Sequence, residues 1–88
     1  MPQDMEWDED RIDEMALAVM FFSMFDEKLF DDTYSTRMWK GLSWAITDRM
    51  HEKGWIANPR SKNKSVVVSE EGRKLAEELA IKYFGKVK

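Results

Sequence analysis

Apolar side chains recur at helical spacing in the first third of the chain. The pattern begins after Asp8, whose carboxylate can cap a helix by accepting from the free amides of its first turn. The apolar positions are Ile12, Met15, Ala16, Val19 and Phe22 or Ser23. This spacing predicts a helix over residues 9–25 with one apolar stripe against the core.

The opposite face of this helix is also apolar, because it carries Leu17, Met20, Phe21 and Met24. A surface helix of a monomer should be polar there. Two coverings are open at this point: the loop that follows could fold back over the face, or a second copy of the chain could cover it. The second alternative predicts a homodimer with Leu17, Met20, Phe21 and Met24 in the interface.

The rest of the chain predicts a second long helix, a β-hairpin and a last helix. Ser43 is suited to cap a helix over residues 43–53, and Gly54 suits the left-handed position after its end. Residues 26–41 have the least regular pattern. We interpret them as an acidic loop, in which residues 35–40 could form a short helix. The β-rich runs "WIANP" and "SVVVS", joined by "NPRSKN", predict a two-stranded antiparallel hairpin.

Ser69 is placed to cap the last helix. Its apolar stripe is predicted to be Leu75, Ala76, Leu79, Ala80 and Tyr83. With 88 residues there is room for one domain. We therefore predict one α+β domain over residues 1–88, with an ordered core of about 7–84, three to four helices and a two-stranded hairpin.

Helix, short helix, helix, hairpin and helix is the order of a winged helix-turn-helix domain, in which the hairpin is the wing. The segments "DRMHEKGWI" and "VVVSEEGRK" with the basic hairpin between them resemble the helix-to-wing segment of small bacterial winged-helix regulators. Residues 5–84, with "WDEDRIDEM", "MWKGLSW" and "DRMHEKGWIANPRSKNKSVVVSEEG", also resemble a family of small bacterial proteins known only as a domain of unknown function. The first resemblance implies a DNA-binding regulator, and the second implies no biochemical activity.

Charge is divided unevenly along the chain. Residues 1–44 hold 4 Lys/Arg and 11 Asp/Glu, and residues 45–88 hold 10 Lys/Arg and 6 Asp/Glu, so net charges of -7 and +4 sum to -3. The N-terminus is acidic where a targeting signal would be basic, and the apolar run over 15–25 is shorter than the roughly 18 residues of a membrane span. These features predict a cytoplasmic protein that does not enter a membrane.

No constellation of catalytic or metal-binding residues is evident. The chain has no cysteine, and His51 is its one histidine, in "HEKG", which lacks the second histidine of a zinc-protease motif. The four glycines are isolated, so no glycine-rich phosphate loop exists. We therefore expect no enzyme activity, no cofactor and no metal.

Two functions compete at this point. One is a DNA-binding, regulator-like module that contacts duplex DNA mainly through the basic wing, where Asp48 on the preceding helix would meet the duplex unfavourably. The candidate nucleic-acid contacts are Thr47, His51, Arg60, Lys62 and Lys64. The alternative is that the wing is a solvated turn and the domain is a protein-interaction or dimerisation module without nucleic-acid binding. The four tryptophans each lie beside a predicted core position, so we expect them to pack rather than stack on bases.

Overall fold

The computed structural model describes residues 5–87 and contains three α-helices and one three-stranded antiparallel sheet. The elements in chain order are α1 (Glu9–Met20), a 3-10 turn (Phe21–Ser23), β1 (Phe25–Lys28), β2 (Tyr34–Trp39), α2 (Trp44–Glu52), β3 (Ser65–Val68) and α3 (Glu70–Phe84). The strands lie in the order β1-β2-β3. The α+β prediction is confirmed, but the sheet has three strands where two were predicted.

Local capping chemistry sets where the helices begin and where α2 ends. Asp8, Ser43 and Ser69 each accept a hydrogen bond from the backbone amide three residues further on. Gly54 follows α2 with a φ of +79°, a conformation that only glycine adopts without a Cβ penalty. All four predictions are confirmed, because each depends on interactions within a few residues.

The acidic segment after α1 is a β-hairpin rather than an irregular loop with a short helix. The helix predicted to reach residue 25 ends at Met20, and β1 and β2 pair from Phe25↔Arg37 to Lys28↔Tyr34. Strand geometry sends alternate side chains to opposite faces, and this places Met38 in the core with none of its surface exposed. The prediction of an irregular segment failed because β2 has no clear alternation of apolar and polar residues. Only one of its six positions is fully buried, so little of the strand has to be apolar.

The predicted two-stranded hairpin is reduced to a single bridge. Residues 55–57 meet β3 through one pairing, Ile56↔Val68, with a backbone hydrogen bond on either side of it. The main partner of β3 is β2, in a register running from Thr36↔Val68 to Trp39↔Ser65. The wing loop, residues 57–64, therefore projects from one end of a larger sheet instead of closing a hairpin of its own.

The two apolar faces of α1 are exchanged relative to the prediction. The side chains predicted for a dimer interface belong to the core of the chain itself. Leu17 is fully buried, and the other three pack against the core: Met20, Phe21 and Met24. Of the stripe predicted for the core, Ala16 packs against it, but Ile12, Val19 and Phe22 are exposed by 36%, 55% and 67%. The predicted interface residues are therefore occupied within the monomer.

A buried carboxylate explains this exchange. Asp13 lies on the core face of α1 with none of its surface exposed. It accepts hydrogen bonds at 2.7 Å from Arg49 Nη2 and at 2.8 Å from Lys53 Nζ, both on the α2 side of the core. A charged side chain on a helix normally marks the solvent face, and only partners distant in the sequence make its burial tolerable.

Candidate interaction surfaces

The outer face of α1 is a continuous apolar surface formed by Trp7, Ile12, Met15, Val19, Phe22 and, from α3, Ile81 and Phe84. Residues 15–24 contain no charged side chain. The rings of Phe22 and Phe84 lie 6.0 Å apart at an interplanar angle of 61°, so the surface continues from α1 to α3. Ile81 is 66% exposed and Phe84 43%, and nothing in residues 5–87 covers either of them fully.

Shallow hollows mark both ends of this outer face. One, of about 410 Å³, is lined by the apolar Trp7, Ile12 and Met15 and by the charged Asp8 and Arg11. The other, of about 180 Å³, lies between Phe22 and α3. Such hollows give an apolar surface relief that a complementary side chain can fill.

An ion-pair network holds α1 against α2 behind this face. Burial alone raises the pKa of the Asp13 carboxyl, but hydrogen bonds from Arg49 and Lys53, together with their positive charges, outweigh burial and hold that pKa below its usual value. Arg49 also pairs with Glu9 at 2.7 Å, and Lys53 with Asp10 at 2.9 Å. Glu9, Asp10 and Asp13 are therefore directed towards α2, whereas Asp8 and Arg11 border the outer face beside Trp7.

The two candidate nucleic-acid contacts on α2 are placed differently. Thr47 is buried, with 1% of its surface exposed, and its hydroxyl donates within α2 to the carbonyl of Ser43 or Trp44. It is not available to a base edge, which corrects the prediction. His51 is exposed, and its Nδ1 lies 3.1 Å from the carbonyl oxygen of Ile56.

The basic residues of the wing loop also divide into two kinds. Arg60 pairs with Asp48 at 2.7 Å and stacks over the ring of Trp44, with its guanidinium carbon 4.4 Å from the ring centre. The hydrogen bond from Arg60 holds the pKa of Asp48 below its ordinary value, so Asp48 is ionised and already paired. Lys62 and Lys64 are exposed and form no ion pair within residues 5–87.

Three of the four tryptophans are exposed, contrary to the expectation that all four serve packing. Trp7, Trp39 and Trp44 expose 62%, 51% and 52% of their surface, and only Trp55, at 8%, is a core residue. Trp39 leans on Phe25, with ring centres 5.3 Å apart, across the β1–β2 pair. Their exposure makes these indoles candidates for contacts with a partner.

A family model described as a domain of unknown function (DUF6429) matches residues 8–86 of the chain. The chain belongs to the DUF6429 family. It is 41% identical over 80 residues to the uncharacterized protein y4hR of Sinorhizobium fredii (strain NBRC 101917 / NGR234), an alignment that covers 91% of this chain and 97% of that protein. No solved structure matches. The predicted resemblance to a bacterial family of unknown function is thereby confirmed.

The family description names no activity, so what this DUF6429 protein does has to follow from its surfaces. Among residues 5–87 there is no group of three or more acidic or histidine side chains that could hold a metal ion. Over the same range no helix is both long and apolar enough to cross a bilayer. The surfaces with distinctive chemistry are the outer face of α1 and the wing end of the sheet.

Proposed function

We propose that this DUF6429 protein is a protein-interaction module that forms a homodimer through the outer face of α1. The observation that carries the proposal is the uncharged stretch over residues 15–24, which runs from the second half of α1 through the 3-10 turn. Val19 and Phe22 in this stretch each leave more than half of their surface exposed. Solvating such a stripe is unfavourable, and burying it against another apolar surface recovers about 25 cal/mol per Å².

The size of the face supports a specific interface. If a fully exposed aromatic side chain offers up to about 200 Å², the exposed parts of the outer face amount to roughly 600 Å². The largest apolar patch of a typical monomer is about 300–600 Å², whereas a specific complex buries about 800 Å² on each partner. The outer face lies at the top of the range for a monomer, and a polar rim of about 200 Å² around it would bring the buried area to that of a specific complex.

A second copy of the chain is the occupant that fits best. A two-fold axis across the middle of α1 would lay the stripe against itself, since an isologous interface uses the same patch twice. The acidic start of one α1, with Glu6 and Asp8, would then approach Lys82 and Lys86 beside Phe84 of the other copy. The opposite charges at the two ends of the face therefore favour antiparallel self-association.

The free edge of the sheet is a poorer alternative for self-association. Among residues 5–87, β1 pairs only with β2, so its outer edge is open there. Antiparallel pairing of β1 with its own copy about the strand centre would place Asp26 opposite Glu27, and like charges directly opposite are destabilising.

The test is the association state of Val19→Glu, measured by sedimentation velocity at micromolar concentration. We expect the wild type to sediment as a dimer and the variant as a monomer with an unchanged far-ultraviolet circular dichroism spectrum, because the new carboxylate would be buried in the interface. Phe30→Glu is the matched control, since Phe30 is fully exposed in the β1–β2 turn, outside this face. A monomeric wild type, or a Val19→Glu variant that stays dimeric, would refute the proposal.

Duplex DNA binding by a winged-helix-like domain is the second candidate function, and the observation that favours it is the exposure of Lys62 and Lys64. Thr47 is buried and Arg60 is paired with Asp48, so fewer side chains support it than the sequence predicted. Each neutralised phosphate contributes a slope of about -0.9 to the salt dependence of duplex binding. Absence of any shift of a duplex at about 50 mM salt would exclude this function.

A further inference from the structure

Two exposed indole rings flank the wing loop at one end of the sheet. Trp39 is the last residue of β2, and Trp44 is the first residue of α2. Each of the two residues exposes about half of its surface, 51% and 52%, with Phe25 beside the Trp39 ring and Arg60 over one face of the Trp44 ring. Together with the basic residues between them they define the wing-end strip: Trp39, Lys40, Trp44, Arg60, Lys62 and Lys64.

The strip is held in place by hydrogen bonds and stacking between distant parts of the chain. The backbone amide of Lys40 donates to the carbonyl of Lys64 at 3.0 Å. Its ammonium group donates to the carbonyls of Pro59 and Ser61, both at 2.9 Å, and thereby fastens the loop to the end of β2. The stacking of Arg60 on Trp44 fastens the other side of the loop to α2. Trp44 and the loop are therefore ordered relative to one another before any ligand arrives. Trp39 adjoins the loop through Lys40 and lies on the sheet face opposite to Met38.

The strip is locally positive although the chain carries a net charge of -3. Asp48 is the one carboxylate that pairs with the described residues of the loop, and its partner there is Arg60. The turn with Asp31 and Asp32 lies at the other end of the sheet, because Lys28 pairs with Tyr34 there while Trp39 pairs with Ser65 at the wing end. Asp31 and Asp32 therefore lie at the far end of the strands from Lys62 and Lys64, and this arrangement favours the approach of an anionic chain at the wing end.

We propose that the wing-end strip binds single-stranded nucleic acid. Exposed aromatic rings beside basic side chains are the combination that holds unpaired bases, since each base stacks on a ring and its phosphate meets a cation. The bases of a duplex are already stacked on one another and cannot use Trp39 or Trp44. The burial of Thr47 likewise removes one of the two α2 side chains that were expected to contact a base edge or phosphate. This site lies outside the outer face of α1 and does not depend on the homodimer.

The experiment measures binding of a fluorescein-labelled oligothymidylate of roughly 12 nucleotides by fluorescence anisotropy. Trp39→Leu and Trp44→Leu should each weaken binding about tenfold, because one base can no longer stack on an indole. Trp44→Phe should retain most of the affinity, since a phenyl ring still stacks. Tyr34→Leu is the matched control: Tyr34 is 66% exposed but lies at the acidic end of the sheet, so binding should be unchanged.

The phosphate-binding lysines have a separate signature. Lys62→Gln with Lys64→Gln should reduce the salt slope of single-strand binding by about 1.4, at roughly 0.7 for each phosphate that is no longer neutralised. Val19→Glu should bind the oligonucleotide like the wild type, so failure of the homodimer proposal would leave this one standing. The proposal is overturned if the protein shows no binding at low salt, or if leucine at both tryptophan positions leaves the affinity unchanged. It is also overturned if a duplex or a polyglutamate peptide binds as tightly as the single strand.

Discussion

Removal of the buried carboxylate of Asp13 should cost this small domain a large part of its stability. Asp13 accepts from Arg49 at 2.7 Å and 2.8 Å and from Lys53 at 2.8 Å, and it is fully buried. Losing one partner of a buried ion pair costs about 3–5 kcal/mol. The two cationic side chains remain 22% and 28% exposed and keep Glu9 and Asp10 as partners, so the lower end applies. We expect about 3 kcal/mol for Asp13→Ala.

Thermal unfolding followed by circular dichroism at one fixed protein concentration measures this effect. For a domain of this size, a loss of 1 kcal/mol in the free energy of unfolding lowers the melting temperature by about 4–8 °C. The melting temperature of Asp13→Ala should therefore fall by roughly 12–24 °C. Glu9→Gln is the control on the same network, because its side chain is 64% exposed and an exposed ion pair contributes no more than about 1 kcal/mol.

The pH dependence gives a second measurement of the same site. The pKa of Asp13 is lower in the folded protein than its ordinary value of 3.8, so the unfolded chain takes up the proton first as pH falls. The stabilisation is therefore present in full above the ordinary carboxyl pKa and is lost as pH falls through the folded pKa. The stability gap between wild type and Asp13→Asn should be constant near neutral pH and should narrow below about pH 4. Two results would contradict this role of the carboxylate. One is a free energy of unfolding that falls by less than about 1 kcal/mol in Asp13→Ala, and the other is a stability difference between wild type and Asp13→Asn that widens in acid.

Three further substitutions test the packing. Gly54→Val should lower the free energy of unfolding by about 1–2 kcal/mol in urea denaturation, because a φ of +79° strains a β-branched residue; an unchanged midpoint would contradict this. Gly72→Ala should cost about 3 kcal/mol or more in the same assay, since its Cβ would meet the backbone carbonyl of Trp55, and wild-type stability would show that the two segments can separate freely. Phe21→Glu should unfold or strongly destabilise the chain rather than yield a folded monomer, because Phe21 packs on the core; a folded variant seen by circular dichroism would place that side chain at the surface.

The candidate surfaces show what sequence patterns can and cannot locate. The apolar run over residues 15–25 indicated that α1 is apolar on both faces, but the face predicted to be uncovered is the one in the core. The basic loop was visible as alternating Lys, Arg and Ser or Asn. The wing-end strip was not, because Trp39 and Trp44 come together with Arg60 and Lys64 only through the β2–β3 register and the hydrogen bonds and stacking of the loop. The sequence signal for this strip was a pair of tryptophans in residues 39–44 together with the basic residues of the loop over 60–64. The expectation that every tryptophan packs in the core kept it from being recognised.

The sequence by itself determined the features that depend on near neighbours. The caps at Asp8, Ser43 and Ser69, the left-handed Gly54 and the apolar stripe of α3 all arise from bonds or spacings within one or two turns, so they hold in any tertiary context. The tertiary structure alone decided which apolar face of α1 is inside. Both faces are hydrophobic enough to be buried, and the charge of Asp13 marks the inner face as polar in the sequence. Its burial is possible because Arg49 and Lys53, 36 and 40 residues away, pair with it. An ion pair between distant residues leaves no periodic trace in the sequence, and for that reason the inner and outer faces of α1 could not be told apart before the fold was known.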